Sequence, residues 1–212
     1  MQPQNTLHKD SIPHGNLLVY KRTLEFTHPL ILIFGREPNT KRPIGNFIET
    51  YDFKSAPNCG FWNSSYSLVA RKTGFVSTRR LKDACFTKQS SPIAYADALP
   101  FGLSNDVLRK SERRKRLEPR AISSHVNNIF SHCDVIDRVS LILLSGLDAP
   151  EFQTAVRIID EHIQVIQRRR ILEAITVRFF TSYNALANRI AVCECYQPSL
   201  KSVIDAWMQV KS

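Results

Sequence analysis

Glu37 stands in Gly35-Arg-Glu-Pro-Asn39, directly after an apolar run, with Pro38 fixing the backbone behind it. A carboxylate held in that way can stabilise a developing positive charge or orient a water for attack. Main-chain N–H groups around Gly35 and Arg36 can point into the same space. The local alternative is that Glu37 pairs with Arg36 or Arg42, or caps a turn. Asp97 follows a second apolar run, where it can accept from N–H donors of a ligand ring or cap a helix. Phe61 and Trp62, within Asn58-Cys-Gly-Phe-Trp-Asn63, offer a flat apolar surface for stacking, and they suit a core equally well. Ser182 and Asn184, in Thr181-Ser-Tyr-Asn184, can contact a phosphate or a ring edge, or close a turn and cap a helix.

Charge narrows the partner. The 212 residues include 29 Lys+Arg against 19 Asp+Glu, a formal net charge of +10. Seven Lys/Arg and two Glu fall between Arg109 and Arg120, and Arg36, Lys41 and Arg42 surround the turn after Gly35. Such clusters suit phosphates, so Lys41, Arg42, Arg113, Arg114, Lys115 and Arg116 are candidates for contacts to a nucleic-acid backbone. The other reading of the run at 109–116 is a solvated helix face or loop. No aromatic amphipathic anchor adjoins it, which places an anionic membrane below DNA as the expected partner. Nothing in the sequence specifies a protein partner.

Several chemistries lack their residues. His28, His125, His132 and His162 show no metal-ligand spacing, and the five cysteines are an odd set without a C-x-x-C pair, so neither a metal site nor a disulfide framework is expected. Cys193-Glu-Cys195 is read as a pair of reduced thiols. The phosphate cradles G-x-x-x-x-G-K-[ST] and G-x-G-x-x-G are missing, as is a G-x-S-x-G elbow, and no cofactor is expected. The polar first fifteen residues lack the apolar core of a secretory signal, which predicts an intracellular protein, cytoplasmic or nucleoid-associated.

The elements that would position these residues follow from hydrophobic pattern. Residues 1–28 read as a polar arm, and residues 29–212 as a single domain. Four short apolar runs, Pro29–Phe34, Ile93–Ala96, Val139–Leu144 and Ala174–Phe180, have the pattern of strands buried on both faces. Between them the period changes. Ile122, Val126, Ile129, Phe130 and Cys133 form one helical stripe, and Phe152, Ala155, Val156, Ile159, Ile163 and Ile166 another. Asp148-Ala-Pro-Glu151 supplies a capping carboxylate and a proline to the second helix, while Leu200, Val203, Ile204, Trp207 and Met208 mark a last one. The prediction is an α/β three-layer sandwich around a mainly parallel four-stranded sheet flanked by helices. In such sheets ligands bind beyond the carboxyl ends of the strands, so the loops beginning at Gly35, Asp97, Ser145 and Thr181 should converge.

A strand ending in G-x-[acid or Asn]-P, followed by an aromatic in an N-x-x-F-W setting, resembles the uracil-DNA glycosylase superfamily. Its first motif is G-Q-D-P-Y-H or G-I-N-P-G, and its mismatch-specific branch has N-R-F-W. The resemblance runs over about Pro29 to Asn188 and includes Tyr95-Ala-Asp-Ala-Leu-Pro100, Leu141-Ile-Leu-Leu-Ser-Gly146 and Thr181-Ser-Tyr-Asn-Ala-Leu-Ala-Asn188. It implies hydrolysis of the N-glycosidic bond of a flipped base in DNA. Glu37 would then lie below the sugar, Phe61 would stack on the base with Trp62 packed behind, and Asp97 would hold the base-reading position, with Gly35, Arg36, Ser182 and Asn184 completing the pocket. One departure matters. Relatives carry a His where this chain has Phe180, and a Pro where it has Thr181. Losing one hydrogen-bond donor to the leaving base costs about 2.7–4 kcal/mol of transition-state stabilisation. The chain would be slow, would use a substitute such as Thr181 or Tyr183, or would be an inactive nucleic-acid- or protein-binding module on the same fold.

Overall fold

The computed structural model describes residues 15–38, 44–53, 60–102, 118–177 and 197–210. Six strands lie in these segments: β1 (Gly15–Tyr20), β2 (Leu30–Gly35), β3 (Gly45–Tyr51), β4 (Ile93–Asp97), β5 (Val139–Ser145) and β6 (Glu173–Val177). They form one sheet in the order β3-β1-β4-β2-β5-β6. β2 is parallel to β4 and β5, and β5 to β6, while β1 runs parallel to β3 and antiparallel to β4. The class is α/β with a mostly parallel, mixed sheet.

The four apolar runs are therefore strands, but four was too few for the sheet. β1 lies inside the stretch 1–28 read as a polar arm, and all of its residues except the half-buried Leu18 are buried. Its apolar run, Leu17-Leu-Val-Tyr20, is as long as Ile93–Ala96, but it stands among polar residues and reads with the arm. β3 escapes for a different reason: as an edge strand its residues before Tyr51 are half-buried or exposed, so Gly-Asn-Phe-Ile-Glu-Thr-Tyr carries no continuous apolar signal.

Both faces of the sheet are covered, which is why the central strands are apolar throughout. Leu30, Leu32 and Phe34 point to the face holding α3 (Pro119–Phe130) and α5 (Gln153–Gln167), where Ile122, Val126, Ile129, Ala155, Ile159 and Ile163 are buried. Ile31 and Ile33 point the other way, toward α1 (Gly60–Lys72), α2 (Thr78–Lys88) and α6 (Gln197–Gln209), and meet Tyr66, Leu81, Leu200 and Trp207. Each such side chain contributes about 1.5–3 kcal/mol by leaving water. Cys133 leaves the α3 stripe. It opens the one-turn helix α4 (Cys133–Ile136) and is exposed, whereas Cys85 is buried in α2. Pro150 begins the 3-10 turn before α5, and the residue in the capping position of that turn is Ala149, one after Asp148. Met208 is 44% exposed and lies off the buried stripe of α6.

The amino ends of the strands are closed by arginines and main-chain carbonyls. Arg138 donates from Nε to the His28 carbonyl (3.0 Å) and from Nη1 to that of Thr23 (3.1 Å). Arg170 donates to the carbonyls of Val139 and Ile136. His28 is buried, donates from Nδ1 to its neighbour Pro29 O at 3.0 Å, and leaves Nε2 without a partner. Burial lowers its pKa from 6.5 to about 4, aided by the charges of Arg138 and Lys88.

Candidate active site

Parallel pairing of β2 with β4 sets Gly35 opposite Asp97 at the carboxyl ends of both strands. The pairing continues past the strands, with Ala98 N donating to Gly35 O (2.9 Å) and Leu99 N to Arg36 O (3.2 Å). Two loops far apart in sequence are thus stitched side by side, and they carry Glu37 and Asp97. Both residues are half-buried. Burial raises the pKa of Asp97 from 3.8 to about 7, and the negative charge of Glu37 adds to the rise.

A third loop joins them. Arg36 Nε donates to the carbonyl of Gly146 (2.8 Å), and its guanidinium lies 5.8 Å from the ring centre of Phe152. Gly146 has φ +65°, and a Cβ there would come within 3.1 Å of Arg36 Nε, so glycine is needed twice over. Three of the four predicted loops, those beginning at Gly35, Asp97 and Ser145, therefore converge. The fourth, with Ser182 and Asn184, lies outside the described residues, as do Lys41, Arg42, Arg113, Arg114, Lys115 and Arg116.

A side of the site that the sequence reading did not assign comes from β1. Because β1 is antiparallel to β4, its first residues arrive beside Asp97, with Leu17 paired to Ala96. Asn16 is held on both sides: its amide donates to Asn46 Oδ1 (3.1 Å), and its own Oδ1 lies 2.8 Å from His132 Nε2. Gly15 donates from N to Glu49 Oε2 (2.7 Å), and a Cβ on it would meet Glu49 Cβ at 2.7 Å. On the other side, His125 of α3 contacts the Asp97 carbonyl through Nε2 (2.8 Å). A carbonyl can only accept, so Nε2 carries the hydrogen. Burial lowers the His125 pKa and favours the neutral ring.

Asp97, Asn16 and His125 line a narrow cleft whose remaining wall includes Trp62 and Tyr95. Trp62 stacks on Tyr95 with ring centres 4.9 Å apart at 9°, and meets Tyr51 edge-on at 4.5 Å. Trp62, expected to pack behind Phe61, itself lines this cleft. Phe61 lies in the first turn of α1, and its side chain is outside the described set. The cleft encloses about 20 Å³, roughly the space of one water. A larger groove of about 460 Å³ runs along α5 past Arg157 and Asp160; it is open to solvent, and neither Glu37 nor Asp97 lines it.

His125 and Asn16 are the members the sequence reading missed. His125 falls three residues after Ile122 and one before Val126, on the buried stripe of α3, and that spacing was a usable signal. Asn16 had none, since only the antiparallel entry of β1 brings it to Asp97. Among the described residues, no three or more His, Cys, Asp or Glu side chains are grouped so as to hold a metal ion. No helix among them is long and apolar enough to cross a membrane. No protein-family model matches this chain, and no curated protein matches it. Its chemistry is therefore read from its own residues.

Proposed function

We propose that this chain is a base-excision enzyme with a uracil-DNA-glycosylase-like fold, hydrolysing the N-glycosidic bond of a base extruded from DNA. The observation that carries the reading is the meeting of Glu37 and Asp97 at the carboxyl ends of β2 and β4, next to the Trp62–Tyr95 wall. Breaking this bond gives the sugar oxocarbenium character. A carboxylate beside the sugar stabilises that charge and orients the water that attacks it, which is the role of Glu37. Extruding a base costs a few kcal/mol of stacking, and an aromatic wall restores part of it. With the present cleft near 20 Å³, a base enters only as the walls part.

In this reading Gly35, Arg36, Phe61, Ser182 and Asn184 complete the pocket. Lys41, Arg42, Arg113, Arg114, Lys115 and Arg116 contact phosphates, so affinity for an oligonucleotide falls steeply as salt rises. The enzyme needs no cofactor and acts inside the cell, in the cytoplasm or on the nucleoid. The test is base release from oligonucleotides carrying uracil or another altered base. Glu37→Gln is expected to slow release by about 10²–10⁴-fold with binding retained. Equal release by the two proteins would remove Glu37 from the chemistry.

A second reading is a catalytically inactive nucleic-acid- or protein-binding module, favoured by Phe180 and Thr181 in the last loop and by the narrowness of the cleft. It predicts oligonucleotide or protein binding with no release by the wild-type protein.

A further inference from the structure

We infer, on the base-excision reading above, that Asp97 is a second catalytic residue: its carboxyl group gives a proton to the departing base while Glu37 takes one from the attacking water.

The geometry assigns the two roles. Glu37 and Asp97 sit on separate loops that Ala98 N–Gly35 O and Leu99 N–Arg36 O hold in fixed register, so one group can face the water while the other faces the base. Asp97 is the carboxylate that lines the aromatic cleft. His125, the histidine of this cleft, already uses its Nε2 hydrogen on the Asp97 main-chain carbonyl, and its neutral ring then has only a lone pair on Nδ1. Burial first, and then the negative charge of Glu37 from the neighbouring loop, raise the Asp97 pKa to about 7, so Asp97 keeps its proton up to about neutrality.

The step balances. The C–N bond breaks with its electron pair moving to the base nitrogen, which takes the Asp97 proton. Water forms the new C–O bond, and its proton goes to Glu37. Transfer of that proton from Glu37 to Asp97 restores the starting pair, with no outside acid or base consumed.

Among the described residues, the charged and titratable groups around Asp97 are few. Glu37 follows β2, His125 comes from α3, and Tyr95 lies on β4 itself. Arg36 is turned to Gly146, Glu49 of β3 accepts from Gly15 N, and His132 contacts Asn16. Only Glu37 acts on the Asp97 carboxyl by charge strongly enough to contribute to its shift.

The experiment is a pH profile of single-turnover base release from oligonucleotides carrying one uracil or one 5-fluorouracil, for wild type and Asp97→Asn. Wild-type release should fall about tenfold per pH unit above about pH 7. Asp97→Asn should be slower, should lose that alkaline limb, and should lose less on 5-fluorouracil, whose more acidic ring leaves with less help. The asparagine preserves side-chain size, and the His125 contact is to main chain, so the fold is kept. Release by wild type that stays level to pH 9, or an alkaline limb that survives in Asp97→Asn, overturns the role of Asp97 and leaves that of Glu37 standing. Absence of release by wild type at every pH overturns the base-excision reading itself and this assignment with it.

Discussion

The two ends of the sheet handle buried charge in opposite ways. At the amino ends, Arg138 and Arg170 donate to the carbonyls of His28, Thr23, Val139 and Ile136, Arg138 Nη2 stays buried without a partner, and His28 is kept neutral by burial. Cations meet dipoles there, and the arrangement ties chain segments together. At the carboxyl ends, two acids are set against each other, and Asp97 is held near 7 by burial and by Glu37. Like charges brought together oppose folding, so that arrangement is retained at a cost to stability. On the base-excision reading, the difference separates a structural end from the end where the chemistry is proposed.

The comparison can be attacked through pH. Asp97 has a raised folded-state pKa, so its contribution is fully present below about pH 4 and is lost as pH rises to about 7. His28 has a lowered one, so its contribution is present above 6.5 and is lost as pH falls to about 4. The largest expected effect is Asp97→Asn, which should raise stability at pH 8 by up to about 4 kcal/mol before solvent screening, and leave stability rising from pH 4 to 6.5. Next is His28→Leu, which removes up to about 3 kcal/mol of acid sensitivity and leaves stability falling across the same window. In the wild-type protein the two slopes oppose, giving a nearly level profile from these groups. Urea midpoints measured between pH 4 and 8 would show this, and parallel slopes in both variants would break the contrast.

Arg138→Met tests the structural end directly. Losing two charge-assisted hydrogen bonds should lower stability by about 2–3 kcal/mol, measured by urea denaturation, and base release by the folded fraction should not change. A loss of release at unchanged stability would mean that this end is not purely structural. The smallest effect expected is from Gly146→Ala. A left-handed φ costs about 1–2 kcal/mol for a residue with a Cβ, and the methyl group presses on Arg36 Nε. Thermal unfolding reads that cost, and an unchanged melting temperature would argue that the Arg36–Gly146 tie is dispensable.

Much of the architecture was legible because burial on both faces writes itself as uninterrupted apolar sequence. Leu30–Gly35, Ile93–Asp97 and Val139–Ser145 could be read that way, and so could the stripes of α3, α5 and α6. β1 and β3 were not legible. One is embedded among polar residues, and the other is an edge strand with a wet face. In the site, Glu37 and Asp97 could be found from their places after strands. Asn16 could not be, because only the antiparallel pairing of β1 brings it to Asp97, and His125, legible as a buried residue of its helix, is tied to Asp97 only by the packing of that helix.

The sequence by itself determined that Leu30–Gly35, Ile93–Asp97 and Val139–Ser145 are strands, which faces of α3, α5 and α6 are buried, and that Glu37 and Asp97 lie at strand ends. Those properties depend on residue types a few positions apart. Only the tertiary structure decided that the described residues form a six-stranded sheet, that β1 enters antiparallel, that Glu37 comes close enough to act on Asp97 by charge, and that Asp97 shares a cleft with Trp62. Those properties depend on which strands pair, and pairing is set by the combined burial of two whole faces rather than by any local pattern.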